Sequence, residues 1–294
     1  TTASTPWSAS PSATATTAPE GPERSSGAPT PGPALAPGSA EDPFEIDLAV
    51  DLPIVALTGS IFLGTELIKR NFPWEGCAAC DPMRVGPIDR RVLDNWSPGA
   101  ATASDVLLYT AIGAPLVADL GDVLSHKTGL RGWGKDALVL VEVFAVTGAV
   151  TNTVKYAVGR PRPYSYGLDG SGRDPTEPDA RLSFFSGHAS ITFAMASAYG
   201  SIFQARHPRS KWRAPVWVLG YGVATTTAVL RVAAGKHFWS DVLVGAIAGT
   251  SIGLLLPLAH RLHRPRRQRR GGGDLSVGVA PTLGGSIAAL RGAF

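Results

Sequence analysis

Apolar residues along this chain are gathered into six long blocks separated by polar segments. Each block is close to the ~20 residues that a helix needs to cross the hydrocarbon core of a bilayer. The blocks run over residues 52–68, 103–120, 137–156, 189–204, 214–233 and 241–259. This pattern predicts an all-α fold, a bundle of six transmembrane helices. Buried helices of a soluble α protein are the alternative, and the low charge of the third, fifth and sixth blocks argues against it.

The two ends of the chain differ from the blocks in composition. Residues 1–45 are mostly Ala, Ser, Thr, Pro and Gly, and such a segment cannot bury enough apolar area to become ordered. We therefore predict a disordered segment over 1–45, a transmembrane domain over 46–262 and a basic, glycine-rich tail over 263–294. Whether a signal peptide preceded Thr1 stays open, and the role of the tail stays open too.

Basic residues in the loops predict the orientation of the bundle. The connection after the fourth block, "QARHPRSKWRA", has no acidic residue, and six arginines follow the sixth block in "HRLHRPRRQRR". Because excess Lys and Arg marks the cytoplasmic side of a membrane protein, the opposite helix ends should face outward. We predict a multi-pass protein of a bacterial-type inner membrane whose outer ends face the periplasm. The basic tail directly follows an apolar span, which favours the membrane as its partner and argues against nucleic acid.

The low fraction of charged residues agrees with a membrane protein, and the two cysteines leave their state open. Charged residues make up 17% of the chain and the formal net charge is +4, whereas soluble domains carry nearer a quarter of charged residues. The two cysteines, Cys77 and Cys80, form the sequence "CAAC" in the first outward loop. A disulfide and a reduced pair both stay open, and a metal site is disfavoured because four ligands are normally needed and no histidine lies nearby.

The candidate site residues collect at the predicted outer ends of the helices. They stand in three stretches, "KYAVGRPRP", "FSGH" and "RVAAGKHFWSD", and comprise Lys155, Arg162, Ser186, Gly187, His188, Arg231, His237 and Asp241. Lys155 and Arg162 are seven residues apart, so they would face one way if the helix continued. His237 and Asp241 are four apart, and we expect them on one helical face.

This combination of residue types suits phosphate-ester chemistry. Three cations match a dianionic phosphate, and Arg adds bidentate hydrogen bonds. The amides of Ser186, Gly187 and His188 would open a helix, whose N-terminus favours an anion. An imidazole held by a carboxylate has a free second nitrogen that can attack phosphorus, and a second imidazole can protonate the leaving oxygen. The residues therefore predict a phosphate-ester hydrolase without a metal or other cofactor.

The three stretches resemble the signature of the type 2 phosphatidic acid phosphatase superfamily, K-x6-R-P, P-S-G-H and S-R-x5-H-x3-D. The resemblance spans residues 155 to 241, with Phe185 in place of the family's Pro and Leu230 in place of its Ser. It implies a helical bundle with its site at the outer membrane–water boundary. It also implies His237 as a nucleophile that forms a phosphohistidine, Asp241 as its orienting carboxylate and His188 as the general acid. Phosphate would be held by Lys155, Arg162, Arg231 and the residues Ser186 and Gly187.

The predicted partner is a lipid phosphate or diphosphate in the membrane, and the sequence predicts no oligomeric state. Undecaprenyl diphosphate, phosphatidate, phosphatidylglycerol phosphate and a lipid A phosphate stay open as substrates. The polar loop 164–182 could sort head groups, although a solvated loop is the simpler interpretation. Three other classes also stay open: a phosphotransferase, a vanadate-dependent haloperoxidase and a non-catalytic scaffold. Six lipid-length blocks argue against the soluble haloperoxidases, and a complete His–Asp–His set argues against a scaffold.

Overall fold

Each of the six apolar blocks forms one long helix in the computed structural model, which describes residues 42–71, 80–126, 129–166, 178–262, 276–282 and 285–291. A four-residue helix, α2, stands between the first and second long helices. In chain order the helices are α1 Leu48–Ile68, α2 Pro87–Arg90, α3 Pro98–His126, α4 Leu130–Val158, α5 Gly187–Arg206, α6 Arg213–Ala233 and α7 Trp239–Leu262. The all-α class predicted for the transmembrane domain is confirmed.

Five of the six long helices are long and apolar enough to cross a membrane, namely α1, α3, α4, α6 and α7. The protein is thus a multi-pass membrane protein. Six spans were predicted, and five of the six long helices are apolar enough to be counted as spans. Helix α5 differs because it lies inside the bundle, packed against α3, α4, α6 and α7. Its hydroxyl groups bond within the protein: Ser190 Oγ lies 2.9 Å from Thr151 Oγ1, and Ser197 Oγ lies 2.9 Å from Tyr221 Oη.

Helices α5 and α7 approach so closely that their contact needs glycine. Gly245, Gly249 and Gly253 recur every four residues on α7 and face the backbone of α5. A Cβ atom at Gly249 would lie 2.0 Å from the carbonyl oxygen of Ser190, and one at Gly253 would lie 2.2 Å from that of Ala194. Small residues at such spacing let helix backbones meet within a membrane. This contact fixes the N-terminus of α5 beside that of α7.

The segments outside the bundle are only partly described. Residues 1–41 and 263–275 lie outside the described residues, so the disorder predicted for the N-terminus stays a prediction. Phe44, which the composition grouped with that N-terminal segment, is fully buried in the core. The tail contains an antiparallel hairpin of β1, Ser276–Thr282, and β2, Gly285–Arg291, for which the sequence analysis made no assignment.

One of the two cysteines falls in the described part of the chain. Cys80 is disulfide-bonded, whereas Cys77 lies outside the described residues. Of the two states that the sequence left open for Cys80, the oxidised one is therefore observed.

Candidate active site

A cavity of about 430 Å³ lies among the helix ends that the loop charges predict to face outward, called the outer ends, and unites most of the predicted site. Six of the eight predicted residues line it: Lys155, Arg162, Gly187, His188, Arg231 and His237. The other two, Ser186 and Asp241, are fully buried and do not line the cavity. Predicted site residues that are up to 82 positions apart in the chain, Lys155 and His237, are thus brought to one cavity.

Two of the three predicted phosphate-binding cations have nitrogen atoms without a partner. Arg231 Nε is buried and has no hydrogen-bond acceptor among the residues that the structure describes. Lys155 Nζ makes no hydrogen bond or ion pair to any described residue either. Because an unpaired buried donor costs about 1–3 kcal/mol, such atoms indicate a place where an anion binds. Arg162 is different, since its Nε donates to the carbonyl oxygen of Asp179 at 2.7 Å.

The first turn of α5 presents backbone amides close to Lys155. A Cβ atom at Gly187 would lie 3.3 Å from Lys155 Nζ, so glycine keeps that space open. The amides of Gly187 and His188 stand at the first two positions of the helix, where no carbonyl within the helix can accept from them. The prediction that Ser186 also offers its amide is wrong, because this amide donates to the carbonyl oxygen of Asp241 at 3.1 Å. Its hydroxyl oxygen caps α5 by accepting from Ala189 N at 3.4 Å.

His237 has a defined tautomer. Its Nδ1 lies 2.8 Å from the carbonyl oxygen of Ser183, and a carbonyl can only accept, so Nδ1 carries the proton. Nε2 is thereby left with its lone pair. Burial, and then the three nearby cations, hold the pKa of the His237 imidazole well below its ordinary value. The ring is therefore neutral and keeps a free lone pair on Nε2, as a nitrogen nucleophile must.

The expectation that His237 and Asp241 lie on one helical face is wrong, although the two side chains are close to each other. Helix α7 begins at Trp239, so His237 precedes it, and Asp241 Oδ2 lies 3.7 Å from His237 Nδ1. That oxygen instead accepts from Phe238 N at 2.9 Å and Ser183 Oγ at 2.5 Å. A carboxylate three residues into a helix commonly accepts from the capping amide in this way. Asp241 thus holds the backbone on both sides of the imidazole.

Arg160, which the sequence analysis did not single out, completes the surroundings of Asp241. Its guanidinium donates to Asp241 Oδ1 at 2.5 Å and to Asp89 Oδ2 at 2.9 Å. It also lies over the Phe238 ring, 4.1 Å from the centroid. The condition under which Lys155 and Arg162 would face one way is not met, because α4 ends at Val158 and Gly159 follows with a φ of 57°. In the short segment after α4, Arg160 therefore contacts Asp241 and Asp89, whereas Arg162 lines the cavity.

His188 is held by a residue of α3 that no motif indicated. His188 Nε2 lies 2.7 Å from Asp105 Oδ1, and the same oxygen accepts from Arg231 at 3.2 Å. Ser104 Oγ, the adjacent hydroxyl, also accepts from Arg231 at 3.2 Å. Asp105 therefore links the predicted acid to a predicted phosphate ligand. Its only signal in the sequence is a single carboxylate near the start of an apolar block.

Part of the loop predicted as a simple solvated segment contributes to the site. Residues 167–177 lie outside the described residues, but Asp179 lines the cavity and contacts Arg162. Burial alone would raise the pKa of Asp179, and the cations Arg162, Lys69 and Lys155 outweigh it and lower the value to about 2. Asp179 is therefore a permanent anion that balances Arg162 at the mouth of the cavity.

The inner wall of the same cavity is apolar. It is formed by side chains of α1, α3, α4 and α5, namely Phe62, Leu108, Ile112, Phe144 and Ile191. Cationic groups at one end and apolar side chains at the other match an amphipathic ligand with an anionic head. The described residues that line the cavity do not include a cluster of metal-binding groups.

The chain is similar in sequence to a known protein family and to several named proteins. The PAP2 superfamily model matches residues 136–265. Human phospholipid phosphatase 2 is 32% identical over 240 residues, which cover 71% of this chain and 77% of that protein. The lipid A 1-phosphatase of Porphyromonas gingivalis is 33% identical over 142 residues, 48% of this chain.

Several relatives are longer than the part that this chain matches. The chain spans only 28% of the P. gingivalis protein and 46% of rat phospholipid phosphatase 1. A solved transmembrane PAP2-type phosphatidylglycerolphosphate phosphatase from Bacillus subtilis is similar in structure, with 19% identity and a TM-score of 0.46. This match covers 71% of this chain and 98% of that one.

Proposed function

Because the chain belongs to the PAP2 superfamily, we propose that it hydrolyses the phosphate monoester or diphosphate of a membrane lipid. The reaction takes place in the cavity at the outer ends of the helices. It proceeds through a phosphohistidine on His237 and needs no metal ion. The named relatives are a lipid A 1-phosphatase and phospholipid phosphatases, and phosphate release from a lipid is the activity that their names share.

The unpaired cationic nitrogens beside a neutral imidazole are the observation that supports this proposal most. Arg231 Nε and Lys155 Nζ have no partner among the described residues, and both side chains line the cavity that His237 lines. A phosphate there would accept from both, and from the amides of Gly187 and His188. Donors that are already in place stabilise the charge that develops on the oxygens of a five-coordinate phosphorus.

The first chemical step uses His237 and His188. His237 Nε2 attacks phosphorus, the bond between phosphorus and the lipid oxygen breaks, and His188 gives a proton to the departing oxygen. Water then attacks the phosphohistidine, and His188 takes a proton from it as the P–N bond breaks. Burial and Arg231 oppose protonation of His188, whereas the carboxylate of Asp105 favours it. Asp105 is thus the neighbour that supports the protonated form, which the first step needs.

The apolar wall supports a lipid as the substrate. Acyl or prenyl chains would lie against Phe62, Phe144 and Ile191, with the phosphate beside Lys155. The loops at the other ends of the helices are rich in Lys and Arg, so the cavity faces the periplasm or the outside of the cell. The oligomeric state does not enter this proposal, and neither does nucleic acid.

The test is phosphate release from a panel of lipid phosphates by the purified protein in detergent, with EDTA present. The panel contains phosphatidate, phosphatidylglycerol phosphate, undecaprenyl diphosphate and a lipid A phosphate, each measured with and without an added hydroxyl acceptor. We expect steady release of inorganic phosphate that EDTA does not change and vanadate inhibits. Release only with an acceptor would identify a phosphotransferase instead. Loss of activity in EDTA that Mg²⁺ restores would contradict the metal-free mechanism.

A further inference from the structure

A cluster of side chains that could bind a metal ion lies at the opposite, inner end of the bundle. Asp51 from α1, Glu142 from α4 and His260 from α7 bring one ligand atom each to within 4.8 Å of one another, and all three residues are buried. Glu142 precedes Lys155 by 13 positions on α4, which is about 20 Å along the helix axis at ~1.5 Å per residue. This cluster is therefore separate from the phosphate cavity.

The histidine of this cluster is oriented as metal-binding histidines usually are. His260 Nδ1 lies 3.1 Å from the carbonyl oxygen of Glu45, which can only accept, so Nδ1 carries a proton. Nε2 forms a hydrogen bond with Glu142 Oε2 at 2.7 Å, and this is the contact that a metal ion bound to both atoms would replace. A backbone carbonyl that fixes the far nitrogen is the common second contact of a histidine that binds a metal through the other. Asp51 is fixed too, since its Oδ2 accepts from Asp47 N at 2.9 Å.

The charge of this region calls for a cation. A cavity of about 390 Å³ borders the cluster, and its lining includes Glu45 and Asp47 in addition to the two carboxylates of the cluster. Among the described residues, neither Lys nor Arg lines this cavity or contacts Asp51 or Glu142. Buried carboxylates are normally paired with a cation or coordinate a metal. The two carboxylates carry two negative charges when ionised, and one imidazole can carry only one positive charge.

We propose that Asp51, Glu142 and His260 bind one divalent transition-metal ion, with zinc as the ion that the ligands suit best. Two carboxylate oxygens and one imidazole nitrogen make three protein ligands, and the cavity leaves room for water as a fourth. Ligands from α1, α4 and α7 tie three helices together at their inner ends. The ion is a structural cross-link that holds α1, whose outer half lines the phosphate cavity through Phe62 and Glu66.

The test is cobalt binding to the purified, tag-free full-length protein in detergent, followed by the visible absorption of low-coordinate Co²⁺. We expect one Co²⁺ per chain, displaced by Zn²⁺. Glu142→Gln and His260→Gln should each weaken binding at least tenfold. His207→Gln is the matched control, because His207 also contacts a carboxylate, Asp122 at 2.7 Å, but does not belong to the cluster; it should bind Co²⁺ as the wild type does.

The outcome that overturns the proposal is the absence of saturable binding, or equal binding by wild type and both ligand variants. Circular dichroism and gel filtration show whether the variants fold. If they do not, X-ray absorption of the wild-type cobalt complex decides: one imidazole nitrogen with oxygen ligands supports the site, and a shell of several imidazoles or of water alone contradicts it. Phosphate release is measured on the same samples, so that failure of the metal site and failure of the proposed hydrolysis are distinguished.

Discussion

The two ends of the helix bundle carry opposite kinds of unbalanced charge. At the outer end, Lys155 and Arg231 bring nitrogen atoms that no described residue pairs. At the inner end, Asp51 and Glu142 are carboxylates without a lysine or arginine in contact among the described residues. Arg231 contacts Asp105 and Glu142 contacts His260, so each group is balanced only in part. Unbalanced charge that the fold nevertheless preserves indicates an anion at one end and a cation at the other.

Arg206 is an example of a charge in the same molecule that is balanced by its neighbours. Arg206, also at the inner end, donates to both carboxylate oxygens of Asp136 and to Asp42. Its guanidinium also donates to the carbonyl oxygen of Gly132. An arginine with its donors satisfied in this way is a structural residue. The contrast between Arg206 and Arg231 therefore separates a structural arginine from one that binds a ligand, and mutations can test it.

The largest effect should come from His237→Ala. Without Nε2 no phosphohistidine can form, so we expect a loss of about 10⁴-fold or more in kcat on both a lipid phosphate and p-nitrophenyl phosphate. Steady-state kinetics of phosphate release measures it. His207→Ala, which removes an imidazole at the inner end, should keep near wild-type activity. Equal losses in the two variants would mean that the activity reports folding rather than the outer cavity.

His188→Ala should distinguish the two substrates. A lipid alkoxide is a poor leaving group and needs a proton, so kcat on a lipid phosphate should fall about 10²–10⁴-fold. Nitrophenolate leaves without help, so most of the activity on p-nitrophenyl phosphate should remain. If p-nitrophenyl phosphate turnover were lost in His188→Ala and kept in His237→Ala, the two roles would be reversed.

Arg231→Gln and Arg206→Gln test the contrast between the two arginines directly. Removing one charged donor from a phosphate site should cost about 10²–10³-fold in kcat/KM, with little change in thermal stability. Arg206→Gln should do the reverse, because it leaves the buried Asp136 carboxylate unpaired, a loss of about 3–5 kcal/mol in the free energy of unfolding. Activity and the melting temperature are measured for both. If both variants lost activity and thermal stability to the same extent, the two arginines would not differ in role.

Asp105→Asn should give the smallest effect and a diagnostic one. The carboxylate favours the protonated form of His188, so its loss makes the imidazole give up its proton at a lower pH. The alkaline fall of kcat/KM on a lipid phosphate should therefore move to lower pH, while the rate on p-nitrophenyl phosphate changes little. An unchanged profile with a uniform drop for both substrates would assign Asp105 a purely structural role.

The fold and much of the site could be predicted because their signals are local. Long apolar blocks specify helices wherever they occur, and the three short stretches carry the spacing that brings Lys155, His188 and His237 together. Helix α5 was harder, since its Ser and Thr hydroxyls lower the hydropathy and bond inside the bundle. Its buried position follows from contacts with four helices, which no single segment reveals.

The residues that the sequence did not indicate act across long distances in the chain. Asp105 meets His188 from 83 positions away, and Arg160 meets Asp241 from 81. The inner cluster is similar, because Glu142 and His260 are 118 positions apart. The pairing of His237 with Ser183 instead of Asp241 depends on where α7 begins, a boundary of two residues that periodicity does not fix.

The most direct test of the proposed mechanism is to trap the phosphoenzyme. Wild-type protein is mixed with ³²P-labelled lipid phosphate, quenched rapidly without acid, and the label is located by peptide mapping. We predict an acid-labile, base-stable phosphohistidine at His237, present in wild type and in His207→Ala, and absent in His237→Ala. Label on another residue, or full turnover by wild type with no labelled protein at any time, would contradict the account.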